Sequence, residues 1–321
     1  MKYLRNLNNH NDYTTFIISA DFDEIQTEKK TVVSYCKSEK HVHYNPYVEP
    51  SFFCKLTLND DSVVELEGNG ELTYTMTKAY ESTLTSAEIG KLCTSVGASA
   101  FYYYTGLTSV DIPDSVTSID NYAFNGCSGL TSLTIGNGVT NIGEYAFGSC
   151  TSLTSIDIPD SVTNIGASTF IRCSDLTSVT IGNGVTNISE SAFENCTHLT
   201  NVTIGNGVTN ISQHAFDSCG LTSVDIPDNV TSIDNSAFED CSKLTSVIIG
   251  SGVTSINGYA FYNCNDLTSV TVNAITPPTL GNSVFDGNSS ERIIYVPSAS
   301  VEAYKSAAGW NAYTDKIQAI Q

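Results

Sequence analysis

From Leu107 onward the chain repeats itself. Leu-Thr-Ser or Leu-Thr-Asn recurs at Leu130, Leu153, Leu176, Leu199, Leu221, Leu244 and Leu267, at spacings of 23, 23, 23, 23, 22, 23 and 23 residues. Nothing else in the sequence restricts the fold as much. A fixed period of this length marks a solenoid, in which each copy is one supersecondary unit stacked on the next. A weaker copy starts at Leu84 and carries Ala100-Phe101 where later copies carry Ala123-Phe124 and Ala146-Phe147, so the array is expected over residues 84–273.

In the copy from Leu107 to Gly129, Leu107, Val110, Ile112, Val116, Ile119, Ala123, Phe124 and Cys127 are apolar among Ser, Thr, Asp, Asn and Gly. Leu-x-x-Val-x-Ile predicts a short strand whose alternate residues face inward. A corner follows, Pro113-Asp114-Ser115 here and Gly136-Asn137-Gly138 in the next copy. Proline presets φ, glycine permits positive φ, and the Asp or Asn side chain can bond nearby amides. Val116 to Ile119 reads as a short extended piece, and the Ala-Phe pair as a single helical or 3₁₀ turn. One copy buries too little apolar surface to offset the ordering of its backbone, so stability is shared between neighbours and the ends need caps.

The unit Leu-Thr-Ser-Val-Asp-Ile-Pro-Asp-Ser-Val-Thr-Ser-Ile-Asp-Asn-Tyr-Ala-Phe-Asn-Gly-Cys-Ser-Gly, residues 107–129, resembles the BspA-type leucine-rich repeat of bacterial surface proteins. The resemblance implies a mainly β, right-handed leucine-rich-repeat solenoid with a parallel sheet on one side, and a role in adhesion or recognition. The chain departs from the commonest leucine-rich pattern in lacking Asn or Cys at the ninth position. Asp114, Asn137, Asp160, Asn183, Asn206 and Asp228, one position earlier, are expected to serve the same turn.

Residues 274–321 also resemble this family's usual ending, and read as an α/β cap. A strand at Ile293-Ile294-Tyr295-Val296 precedes Pro297, then an amphipathic helix with Ser298 or Ser300 as N-cap and Gly309 as terminator. Residues 1–83 lack the period and read as a separate small β-rich module. It has runs at 31–36 and 52–58 and a hairpin turn at Asn59-Asp60-Asp61. The opening Met1-Lys2-Tyr3-Leu4-Arg5 and the later Val42-His43-Tyr44-Asn45-Pro46-Tyr47 resemble leaders of structural or receptor-binding proteins of gut-bacterial phages and prophages.

Charge narrows the partners. The net charge is −20, and residues 107–273 hold 16 Asp/Glu against Arg172 and Lys243, which leaves −14 on the array. A polyanionic surface repels phosphate backbones and anionic lipid, so no nucleic-acid partner is expected. Phe16-Ile17-Ile18 is too short for a signal-peptide core, and no stretch approaches the roughly 18 apolar residues of a membrane span. No membrane insertion is expected. Localisation stays open between a cell surface reached by another route and a phage particle.

Chemistry-bearing residues mostly have structural readings. Cys127, Cys150, Cys173, Cys196, Cys219, Cys241 and Cys264 occupy one column, where parallel stacked side chains suit disulfide geometry poorly, so they read as buried core thiols. Cys36, His41, His43 and Cys54 lack zinc-ligand spacing. The Asp/Asn corner ladder lacks the calcium nonapeptide pattern and reads as turn capping. His198 and His214 occupy variable positions, and no nucleophile elbow, phosphate loop or metalloprotease motif is present. The chain reads as no enzyme, with no cofactor and no metal.

What remains is the outward side of the strands. At ~4.8 Å per strand, eight rungs present a polar face roughly 34 Å long. Ser109, Asp111, Thr134, Asp157, Ser178, Thr180, Thr203 and Asp225 are its candidate ligand-binding residues. This face suits a protein or glycan ligand and offers no evident small-molecule pocket. The expected function is non-catalytic recognition or adhesion. The alternatives are a structural spacer or virion component docked by its N-terminal module, and an enzyme sited in residues 1–83.

Overall fold

The computed structural model describes residues 52–321 throughout and, of residues 1–51, the backbone of five strands. Those strands, Lys2–Leu4, Phe16–Ile18, Glu24–Thr27, Val32–Cys36 and His41–Tyr44, form one antiparallel sheet in chain order. The chain divides between Ser51 and Phe52, so the module boundary expected at residue 83 moves to residue 51. Residues 52–83 lack the period because they are the first layer of the solenoid rather than a copy of its unit. Cys54–Leu58 lies antiparallel on Leu84–Ile89 and forms the expected hairpin with Val63–Leu66. Gly70–Leu72 pairs in parallel with Cys93–Val96.

Each turn of the solenoid has three sides. The first is a four-residue strand, Ser109–Ile112 and its equivalents, in which Val110 and Ile112 are buried while Asp111 faces out. The second is a two-residue strand, Ser118–Ile119 and its equivalents, which buries the isoleucine. The third carries the Ala-Phe pair and differs from the expected helical or 3₁₀ turn. Its alternate amides point along the solenoid to the next turn: Tyr122 N–H donates to the Glu144 carbonyl, Phe124 to Ala146 and Gly126 to Gly148. A right-handed helical turn would aim these amides along its own axis. The side instead places Tyr122 (φ 59°) and Gly126 (φ 77°) in the left-handed region, as it does Tyr145 and Ser149 one turn later. Each such non-glycine residue costs roughly 1–2 kcal/mol, and the bonds to the next turn hold it there.

The core consists of stacked columns. Phe101, Phe124, Phe147, Phe170, Phe193, Phe216, Phe238, Phe261 and Phe285 lie with successive ring centroids 5.0–5.8 Å apart and planes within 11°. The 22-residue copy drops its residue between Cys219 and Leu221. Leu221 and Val224 remain buried, so the shortening falls outside the strand, as its register requires.

The strand side is not one ladder but three. Pairing is lost between Ser132–Ile135 and Ser155–Ile158, and again between Asn201–Ile204 and Ser223–Ile226. At both places a glycine corner is followed by a proline corner, Gly136 by Pro159 and Gly205 by Pro227. The seventh residue of a turn can donate its amide to the sixth carbonyl of the turn before, as Asn273 does to Ile249 at 2.9 Å. Proline has no amide hydrogen to donate. The earlier proline turn shows the same effect in milder form, because Ser109–Ile112 pairs with the preceding strand over three residues, yet with the following one over four. The two-residue side breaks once, between Asn164–Ile165 and Asn187–Ile188, where the Ser189 hydroxyl takes the Ile165 carbonyl.

At the C-terminal end Ile293–Val296 continues the strand side and Ile317–Ala319 follows it. The helix is shorter than expected, Val301–Ser306. Neither Ser298 nor Ser300 makes a side-chain cap bond, and Ala307 is already extended. Gly309, at φ 80°, then turns the chain and Trp310 packs against Phe285, closing the Phe column, with its Nε1 donating to the Pro278 carbonyl at 2.7 Å.

Candidate functional site

Positions that face out on the four-residue strands carry the candidate residues. Asp111, Thr134, Asp157, Thr180, Thr203 and Asp225 are exposed, and Ser109 and Ser178 are half-buried. The ladder breaks sort them into three groups. Asp111 is level with Thr134, and Asp157 with Thr180 and Thr203, while Asp225 starts the third group level with Ile248. The continuous lattice expected from the repeat is therefore interrupted twice, for the missing proline donors described above.

The other outward columns have structural duties. Most of the threonines that follow a repeat leucine donate to the equivalent threonine carbonyl one turn earlier, Thr131 to Thr108 and Thr177 to Thr154 among them, the exceptions being Thr154 and Thr222 at the ladder breaks. Thr117, Thr140 and Thr163 do likewise on the second side. At the corners Asp114 accepts from the Asn137 amide, Asp160 from Asn183, Asn183 from Asn206, and Asp228 from Ser251. The Asp/Asn ladder thus caps the corner of the following turn. By contrast, among the described residues the side chains of Ser109, Asp111, Thr134, Asp157, Ser178, Thr180, Thr203 and Asp225 make no hydrogen bond.

At the first ladder break the sheet opens into a notch of about 350 Å³. Leu133, Ile135, Ile156 and Pro159 supply its apolar surface, and Thr134, Ser155 and Asp157 its polar surface. Leu133 is half-buried although its column is otherwise largely buried, and Val202 at the second break is likewise half-buried. Sequence reading expected no such recess. Its signal was the order of the corner motifs, a Gly-Asn-Gly turn followed by a Pro-Asp-Ser turn.

The repeat cysteines are buried and free. Burial pushes the Cys127, Cys173 and Cys241 thiols up to about 12, and those of Cys150, Cys196, Cys219 and Cys264 well above the usual range. Cys54 is buried as well, while Cys36, His41 and His43 lie outside the residues whose side chains are described, as does the phage-leader resemblance. Of the array histidines, His198 Nδ1 meets the Ser174 carbonyl at 2.8 Å. His214 stands beside Asp217, Nδ1 to Oδ2 2.8 Å, with Glu239 of the next turn nearby. Sequence reading placed His214 at a variable position and missed this grouping, whose signals were the His-x-x-Asp spacing and the one-turn offset from Asp217 to Glu239. On the same side Tyr122 and Tyr145 stack with centroids 5.1 Å apart.

A family model described as BspA type Leucine rich repeat region matches residues 77–197 and 164–292, in six copies. No curated protein sequence matches the chain. Solved structures similar to it include a leucine rich cell surface protein from Faecalibacterium prausnitzii, at 22% identity and TM-score 0.49, covering 100% of this chain and 94% of that one. A leucine-rich repeat protein from Bacteroides ovatus is 18% identical with TM-score 0.45, covering 98% of this chain and 100% of that one. Among the described residues, no helix is long and apolar enough to cross a membrane.

Proposed function

The chain belongs to the BspA-type leucine-rich repeat family, and on that premise we propose that it is a non-catalytic recognition protein that holds a protein or glycan partner against the strand side of its solenoid. One observation carries this reading. The outward side chains of the four-residue strands are the regular columns without a hydrogen bond to the stack, whereas most side chains of the threonine and corner columns are committed to it. Side chains presented at fixed spacing on a rigid sheet need little further ordering to bind, which lowers the entropic cost of association.

The notch beside Pro159 gives this face an anchor. Its mixed lining, apolar from Leu133, Ile135, Ile156 and Pro159 and polar from Thr134, Asn137, Ser155 and Asp157, suits a partner group that pairs an apolar face with a cationic or hydroxyl-bearing one. The test is a protein and glycan array screen with the full chain, followed by hydrogen-exchange footprinting of the bound state. Protection centred on residues 109–112, 132–135, 155–158 and 178–181 is expected. A footprint confined to the third side, or to residues 1–83 as a spacer docked by its N-terminal part would give, overturns the assignment.

A further inference from the structure

On the third side, His214 and Asp217 are three residues apart in one turn, and Glu239 occupies in the next turn the place that Asp217 holds in its own. The amide of Ser218 donates to the Glu239 carbonyl at 2.8 Å, which keeps the two turns in this register. One donor atom from each of His214, Asp217 and Glu239 lies within 4.8 Å of the others. Ser218 Oγ donates to Asp217 Oδ1 at 2.8 Å, so the other carboxylate oxygen, Oδ2, is left to face the imidazole. Glu194 holds the same place one turn earlier, so three acidic residues stand in successive turns with His214 beside the middle one. Aligned like charges destabilise a stack unless a cation compensates them.

We propose that His214, Asp217 and Glu239 bind one divalent ion of the zinc or cobalt class. A mixed set of imidazole nitrogen and carboxylate oxygen suits such borderline ions better than calcium or magnesium, which take oxygen ligands. Bond lengths of about 2.0–2.2 Å require neighbouring donors somewhat farther apart than the 2.8 Å between His214 and Asp217, and bring Glu239 inward by rotation of its flexible side chain. The side chains of His214 and Asp217 keep 31% and 16% exposure, which leaves an entry path and room for water on the ion. Ser218 is a positioning residue, because it orients a ligand without touching the ion.

The experiment is calorimetric titration of the chelator-stripped full chain with Zn²⁺, repeated with Co²⁺ while its visible absorption is followed. The variants are His214→Asn, Glu239→Gln and Ser218→Gly. Asn and Gly accept the left-handed backbone of residues 214 (φ 54°) and 218 (φ 57°), and melting in chelator verifies that each variant folds. The parent is expected to bind one ion more than His214→Asn and Glu239→Gln, with a Co²⁺ band that both lose. Ser218→Gly should keep the ion with affinity lowered roughly 10-fold or more. Other metal-binding groups, His41 and His43 included, are common to all four proteins, so the difference isolates this site. The proposal is overturned if the parent binds no ion, or if the two ligand variants bind as many ions as the parent with the same affinity.

Discussion

The Cys150 thiol donates to the carbonyl of Phe124 one turn earlier, Sγ to O 3.2 Å. The bond recurs along the column, from Cys127 to Phe101, Cys173 to Phe147, Cys196 to Phe170, Cys219 to Phe193, Cys241 to Phe216 and Cys264 to Phe238. Each thiol is both buried and engaged, so these seven cysteines should be reduced and unreactive in the folded protein. Thiol reagents are expected to modify them only after denaturation. Rapid native labelling of several, or turn-to-turn disulfides found by mass spectrometry, would contradict the packing.

Alkaline pH should weaken the fold through the same column. The thiol reference value is 9.0, and burial holds Cys127, Cys173 and Cys241 at about 12. Between these limits the unfolded chain loses protons that the folded chain keeps, so stability falls as pH rises above about 9. The slope approaches roughly 1.4 kcal/mol per pH unit for each thiol exposed on unfolding. Melting curves at pH 8 and pH 10 should separate widely for the parent, and less for a variant combining Cys150→Ala, Cys173→Ala and Cys196→Ala.

Binding should depend on the outward strand positions. Asp111→Lys combined with Asp157→Lys reverses charge in two ladders while Val110, Ile112, Ile156 and Ile158 stay buried. Stability should move by no more than about 0.5 kcal/mol. The first change also removes a like-charge neighbour, because Asp111 is level with Glu88. Affinity for a partner identified by array should drop at least about tenfold, or roughly 1.4 kcal/mol. A variant that melts like the parent and binds equally well would exclude this side.

The notch should close when its corner is rewritten. Pro159→Gly with Ser161→Gly supplies an amide for the Ile135 carbonyl and removes the Ser161 hydroxyl, which is buried without a hydrogen-bond partner. The gain of about 1 kcal/mol per hydrogen bond is offset by the flexibility of glycine, so net stability should shift by less than about 1 kcal/mol. Hydrogen exchange should nonetheless slow along 132–135 and 155–158, and partner affinity should fall. Unchanged exchange would mean that the missing donor does not cause the break.

Much of this structure was legible in the chain. Leu107, Val110, Ile112, Val116, Ile119, Phe124 and Cys127 are all buried, and they could be read because every copy restates the same inward pattern. The features that escaped reading depend on contact between neighbouring turns. The notch arises where Pro159 follows Gly136, the left-handed residues such as Tyr122 serve carbonyls a full turn away, and His214 gains Glu239 only through stacking. Residues 52–83 were legible as strands and a hairpin, but not as the layer that covers the first turn, because they share no repeat with what they cover.

The third side has a further consequence. Its alternate amides all point the same way, from Ser99, Phe101 and Tyr103 at one end to Tyr259, Phe261 and Asn263 at the other, each donating to the turn that follows. On the other two sides amides such as those of Thr131, Thr140 and Gly143 donate to the turn before, so the dipoles of the third side are opposed by those of its neighbours, and each turn is tied to the stack by amides that run in opposite directions on different sides.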